Sequence, residues 1–157
     1  MRLSRFLRPE LIEPDLAPTE KEAALDSLVR LALSCPSVEC TSEAASVLSA
    51  LQEREAVTST GIGNGVAIPH AKVEGLKKMV LVLARSKSGV SFQALDEAPV
   101  HLIFMVIAPP EAVSDYLRLL AAISAFVKSE RNRNALLSAQ TREEMLQAVK
   151  AAEKAQA

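Results

Sequence analysis

The run VHLIFMVIA, residues 100–108, constrains the fold more than any other part of the chain. His101 is its only polar side chain, so no alternation separates a wet face from a dry one, and a strand of this kind must be covered on both sides. Helices have to supply those covers. MVLVLARS from Met79 reads as a second strand, and Val66, Ala67 and Ile68 as a short third one. The flanks are helical in pattern. TEKEAALDSLVRLAL from Thr19 has Thr19 and Glu22 at capping-box spacing, recurrent Leu25, Leu28 and Ala32, and a stop at Cys35–Pro36. A second helix is expected from Thr41 or Ser42 to Arg54 or Glu55, with Val47, Leu48 and Leu51 inward. EAVSDYLRLLAAISAFVKSE predicts a third helix with Val113, Leu117, Leu120, Ser124 and Val127 on its inner face. Residues 131–139 suggest a short helix, and Thr141 with Glu144 caps a last one through Met145 and Val149. Helices on either side of strands make an α/β protein, and 157 residues suit a single domain with helices on both faces of its sheet.

Charge and aromatic content exclude several function classes. Eighteen Lys and Arg against 19 Asp and Glu leave a formal charge of −1, nearly balanced along the chain, so no basic face is expected for nucleic acid or an acidic membrane. Only 3% of residues are aromatic, with no Trp and one Tyr, too few rings for a base-stacking surface. No apolar run has the length of a membrane span, and residues 1–15 lack the apolar core of a signal peptide; a cytoplasmic protein without membrane insertion is expected. Cys35 and Cys40 lack CxxC spacing and a second pair, so neither a metal site nor a disulfide framework is expected. Periodicity leaves the oligomeric state open.

The chemistry then falls to a few residues around TSTGIGNGVAIPH, residues 58–70, which holds three of the five glycines. It reads as a tight glycine turn feeding a strand that stops at Pro69, with His70 at the strand end. G-I-G-N-G is not a nucleotide loop, because it lacks GxGxxG spacing, a preceding strand and a following Lys-Ser/Thr. Gly61, Gly63 and Gly65 fit two readings: permissive backbone for a close approach, or a concavity of backbone N–H groups for an anion. His70 is a nitrogen nucleophile in its neutral form or a hydrogen-bonded structural residue. Arg54 can neutralise a phosphoryl group or be a solvated charge in EREA; Ser59 and Thr60 can donate to an anion or make turn hydrogen bonds. His101 reads as a satisfied strand-end histidine.

TSTGIGNGVAIPHAK, with Arg54 upstream, resembles the active-site segment of the type-2 enzyme IIA domains of the bacterial phosphoenolpyruvate phosphotransferase system. The similarity is strongest to the nitrogen-regulatory branch of that fructose/mannitol superfamily. It extends from LSRFLRPELIEPDL through GVSFQALDEAPVHLIFMVIAPP to TREEMLQAVK, a domain over about 4–150 with a loose tail at 151–157. The resemblance implies a mixed sheet of about five strands flanked by helices. It implies that His70 accepts a phosphoryl group on Nε2 from a phosphorylated HPr-like carrier, without metal or cofactor, and that Arg54 is the family's active-site arginine. Ser59 or Thr60 would supply its supporting hydroxyl. One departure stands out: the family's second histidine, in an HLxLL-like pattern, is Tyr116 here. A phenol can donate a hydrogen bond but cannot share a proton near neutral pH as imidazole does. Three functions follow as expectations. The first is a phosphocarrier whose phosphorylation state regulates target proteins. The others are a sugar-specific IIA serving a IIB cysteine, and a binding module that has lost phosphotransfer.

Overall fold

The computed structural model describes residues 1–156. Its sheet is built around the apolar run, which forms strand β6 (Val100–Ala108). The other strands are β1 (Ile12–Glu13), β2 (Gly61–Gly63), β3 (Val66–Ala67), β4 (His70–Lys72) and β5 (Val80–Val90). The order is β1-β5-β6-β3-β2, with β4 also on β6, so the sheet has six strands rather than about five. It is mixed, since β5 runs antiparallel to β6 while β3 and β4 run parallel to it.

Period-two geometry explains how an almost unbroken apolar strand serves two cores. Leu102, Phe104 and Val106 face one core with α3 (Val113–Lys128), α4 (Glu130–Ser138) and α5 (Arg142–Ala155). Ile103, Met105 and Ile107 face the other, beneath α1 (Lys21–Ser34) and α2 (Ala44–Val57).

Three helical expectations are corrected. Thr19 does not cap α1: Glu20 holds that position without a side-chain bond, because Thr19 O accepts from Ser91 N at 2.8 Å and Glu20 bridges Ser91. The pairing keeps Thr19 and Glu20 extended, so the helix starts later. In α3 the inner stripe is Tyr116, Leu119, Ile123, Phe126 and Val127, whereas Val113 and Leu117 are 50% and 60% exposed. The stripe that wins is the one that buries both aromatic rings. Of the loose tail expected at 151–157, residues 151–155 instead complete α5, where the Glu153 carboxylate accepts from the backbone N–H of Leu3 and of Ser4, and residue 157 lies outside the described residues. The cap at Thr141 forms as expected, accepting from Glu144 N.

Pro69 decides where the site sits. β3 and β4 lie end to end along β6, pairing with Leu102–Ile103 and with Val106–Ala108. A proline lacks the N–H that a continuous ladder needs, so the strand breaks there, while Pro69 O still accepts from Val106 N at 2.9 Å. His70 therefore opens a new strand instead of ending one. Among the described residues β6 is the only partner of β4, which leaves His70 on an open edge.

Candidate functional site

Three of the residues singled out by sequence converge on the open edge of β4. On that strand Ala71 is buried in the core under α1 and α2, so His70 and Lys72 project to the opposite face. There the His70 ring meets Tyr116 from the first turn of α3, at 5.9 Å between centroids and 60° between planes. Arg54, in the last turn of α2, is close enough for its charge to act on both rings. It is anchored by donating from Nη1 to Thr58 O at 3.0 Å, a bond to the free carbonyl end of its own helix.

The hydrogen bond at Nδ1 settles which nitrogen of His70 is available. Nδ1 lies 2.7 Å from Ile68 O, and a carbonyl only accepts, so Nδ1 carries the proton and Nε2 keeps its lone pair. The pKa of His70 is held below 6.5, first by burial and then by Arg54, against the opposing pull of the Ile68 bond and of Glu55. The ring is thus neutral at pH 7 and ready to act as a nucleophile. Burial pushes the Tyr116 phenol up to about 12 against the opposing effect of Arg54, so it stays protonated and can only donate.

Other candidates are placed differently. Ser59 Oγ donates to Phe92 O at 2.9 Å and accepts from Gly61 N at 3.0 Å. Thr60 Oγ1 donates to the Glu55 carboxylate and is buried. Each hydroxyl has one proton, and both protons are spent inside the fold, which supports the turn reading over direct anion contact. The glycines likewise shape backbone. Gly61 abuts Ala94, and Gly63, Asn64 and Gly65 take positive φ (95°, 57° and 74°) at the tip of the β2–β3 hairpin. The Asn64 N–H there donates to Asp96 at 3.2 Å, so this amide already serves a carboxylate of the protein. His101 stands apart from the site, its Nδ1 donating to Ser86 O at 2.7 Å, as its strand-end reading anticipated.

Sequence reasoning missed Glu55, Lys21 and Lys72. Glu55 is buried, pairs with Lys21 Nζ at 3.0 Å and accepts from Thr60 N at 3.1 Å. Its signal was present, because Val47, Leu51 and Glu55 fall on one face of α2 at four-residue spacing. Lys72 is exposed, with Nζ 5.9 Å from the Tyr116 ring centroid, which brings a second cation beside the pair of rings.

Fold and site together define a one-domain α/β protein that presents a bare imidazole nitrogen next to a guanidinium on a sheet edge. The family model described as "Phosphoenolpyruvate-dependent sugar phosphotransferase system, EIIA 2" matches residues 5–152. A fructose-specific EIIA component of Haloferax volcanii is 37% identical over 134 residues, 85% of this chain and 85% of that protein. A nitrogen regulatory protein of Pseudomonas aeruginosa is 33% identical over 150 residues, 95% of each chain. The crystal structure of the nitrogen regulatory protein IIA-Ntr from Neisseria meningitidis superposes with a TM-score of 0.85 at 28% identity, covering 94% of this chain and 98% of that one. The chain belongs to the EIIA type-2 family and is a phosphocarrier component of the phosphotransferase system. Its relatives divide between nitrogen regulatory and fructose-specific proteins. No helix among the described residues is long and apolar enough to cross a membrane.

Proposed function

We propose that His70 is the phosphoryl acceptor and that the phosphorylation state of this protein regulates partner proteins. The observation that carries the assignment is the 2.7 Å bond from Nδ1 to Ile68 O, which leaves Nε2 as the only nucleophilic nitrogen of the ring. In the transfer, the Nε2 lone pair attacks phosphorus of a phosphohistidine on an HPr-like carrier. A new N–P bond forms as the old one breaks, and the released electron pair returns to the donor's imidazole. The proton on Nδ1 stays on Nδ1, donated to Ile68 O, throughout. Such a transfer asks for positioning and for neutralisation of the phosphoryl oxygens. Arg54 supplies the cation and Tyr116 the donor, with no metal or cofactor called for.

A regulatory output follows from the charge arithmetic. The free chain has a formal charge of −1, and a phosphoryl group adds roughly −1.5 to −2 at one edge. Exposed Val57 at the end of α2 and Leu117 beside Tyr116 put apolar side chains near that edge, where a partner would read the change. The nitrogen regulatory relatives, matched over nearly their whole length, support this branch. The fructose-specific relative supports a second reading, a sugar IIA that hands the group to a IIB cysteine.

Incubation with phosphoenolpyruvate, enzyme I and an HPr-like carrier is expected to give an acid-labile, base-stable adduct that His70→Ala abolishes. Persistence of the label when a IIB domain is added supports regulation, and its passage to the IIB cysteine supports sugar transport. Absence of any adduct would leave only a binding module.

A further inference from the structure

The His70 ring is held by a relay that begins in a buried ion pair. Lys21 Nζ, from the first residue of α1, lies 3.0 Å from Glu55 Oε2 near the end of α2, with the two side chains only 13% and 5% exposed. Glu55 accepts from Thr60 N at 3.1 Å and from the Thr60 hydroxyl. Thr60 O accepts from Ile68 N at 3.0 Å, and Ile68 O accepts from His70 Nδ1 at 2.7 Å. The relay is continuous from one helix start to the imidazole.

We propose that Glu55, with Lys21 as its counter-ion, is a positioning residue for phosphoryl transfer, acting through Thr60 and Ile68 to fix the orientation and tautomer of His70. Packing alone gives no reason for a carboxylate here. Glu55 occupies the inner stripe of α2 with Val47 and Leu51, where an apolar side chain would bury as well, and a buried ion pair is weak evidence of stability. Its bonds reach instead to the residue that starts the hairpin leading to His70. The cation is tied into the same frame: Lys21 Nζ sits 4.7 Å from the centre of the Phe92 ring, and Phe92 O accepts the Ser59 hydroxyl beside Thr60. The Ile68 carbonyl decides which nitrogen is bare, so a shift of the 60–68 pairing changes both the aim of Nε2 and the share of rings that have it unprotonated.

The inference rests on His70 being the acceptor, and the test separates the two. The ¹⁵N resonances of the His70 ring in the free protein report the tautomer without any phosphotransfer, and phosphorylation by the HPr-like carrier reports the rate. Glu55→Ala is expected to bring up the Nε2–H tautomer and to slow phosphorylation roughly 10- to 100-fold, while Glu55→Gln, which keeps an acceptor oxygen, recovers most of both. Lys21→Met and Thr60→Val interrupt the relay elsewhere without emptying the Glu55 site, and are expected to move both readouts in the same direction by several-fold. Wild-type tautomer and rate in folded Glu55→Ala would overturn the inference. If that variant does not fold, wild-type values in both Lys21→Met and Thr60→Val would do so. A wild-type protein that gains no label at His70 overturns the acceptor assignment instead, whatever the tautomer.

Discussion

Gly61→Ala probes the closest backbone approach near the site. A Cβ on Gly61 would lie 2.7 Å from Ala94 Cβ and 2.8 Å from Ala94 Cα, with Ser59 Oγ at 3.3 Å. Ordinary carbon contacts fall at about 3.5–4.0 Å, so the two segments must separate by roughly 0.8 Å. Ala94 cannot easily retreat: it is buried, and Leu95 N donates to Gly61 O at 3.0 Å. Gly61 does not have a positive φ, so the cost is steric rather than conformational. Overpacking of this kind costs about 1–3 kcal/mol, which for a chain of this length lowers Tm by about 3–10 °C. Because Gly61 directly follows Thr60, the displacement is passed to the Thr60–Ile68 bond and to the ring. A misplacement near 1 Å is expected to slow phosphorylation of His70 by roughly 100-fold. Gly65→Ala is the control: it has φ +74° but meets nothing nearer than His101 Cδ2 at 3.8 Å, so only backbone strain of about 1–2 kcal/mol applies. Thermal unfolding and the rate of labelling by the carrier measure both effects. A Gly61→Ala protein with wild-type Tm and labelling rate would show that the approach to Ala94 does not hold the hairpin.

Burial and Arg54 hold the His70 pKa below 6.5, so NMR titration is expected to find its midpoint below that value, and a midpoint above it would refute the assignment of causes. The unfolded chain then takes up this proton first, so the contribution of His70 to stability is complete above pH 6.5 and is lost as pH falls through its folded pKa. Tyr116→His puts a titrating ring in place of the phenol whose ring lies 5.9 Å from that of His70, and onward transfer of the phosphoryl group is expected to accelerate; an unchanged rate would show that the phenol already suffices. Arg85 is 2% exposed and donates to Pro14 O, Leu136 O, Leu137 O and Ala139 O. Arg85→Met is therefore expected to lower stability by about 3–5 kcal/mol in denaturant unfolding, because it leaves these carbonyls unpaired, while labelling of the remaining folded protein persists.

Local pattern made part of this molecule legible. The apolar run at 100–108 required covers on both faces, and the two cores supply them. Thr141 and Glu144 formed their cap because both partners lie within one helical turn. Thr19 and Glu22 had the same spacing and did not, because Ser91, far away in sequence, competed for the backbone. The inner face of α3 differs from its periodicity for a related reason: two apolar stripes run along that helix, and only the surface beneath it selects between them.

The candidate site divides in the same way. His70, Arg54 and the substitution at Tyr116 stand in the sequence as residue types within a recognisable segment, since nucleophile and cation are matters of side-chain chemistry. Which nitrogen of His70 is bare was decided by tertiary structure, because the carbonyl that accepts the hydrogen bond from Nδ1 is placed by the break at Pro69. The same structure drew the Ser59 and Thr60 hydroxyls inward and set Glu55 against Lys21, thirty-four residues away. Sequence by itself determined which groups were available; the crossing of two helices and a hairpin decided which of them were spent on one another and which were left at the open edge of β4, because a hydrogen bond depends on where both its partners lie.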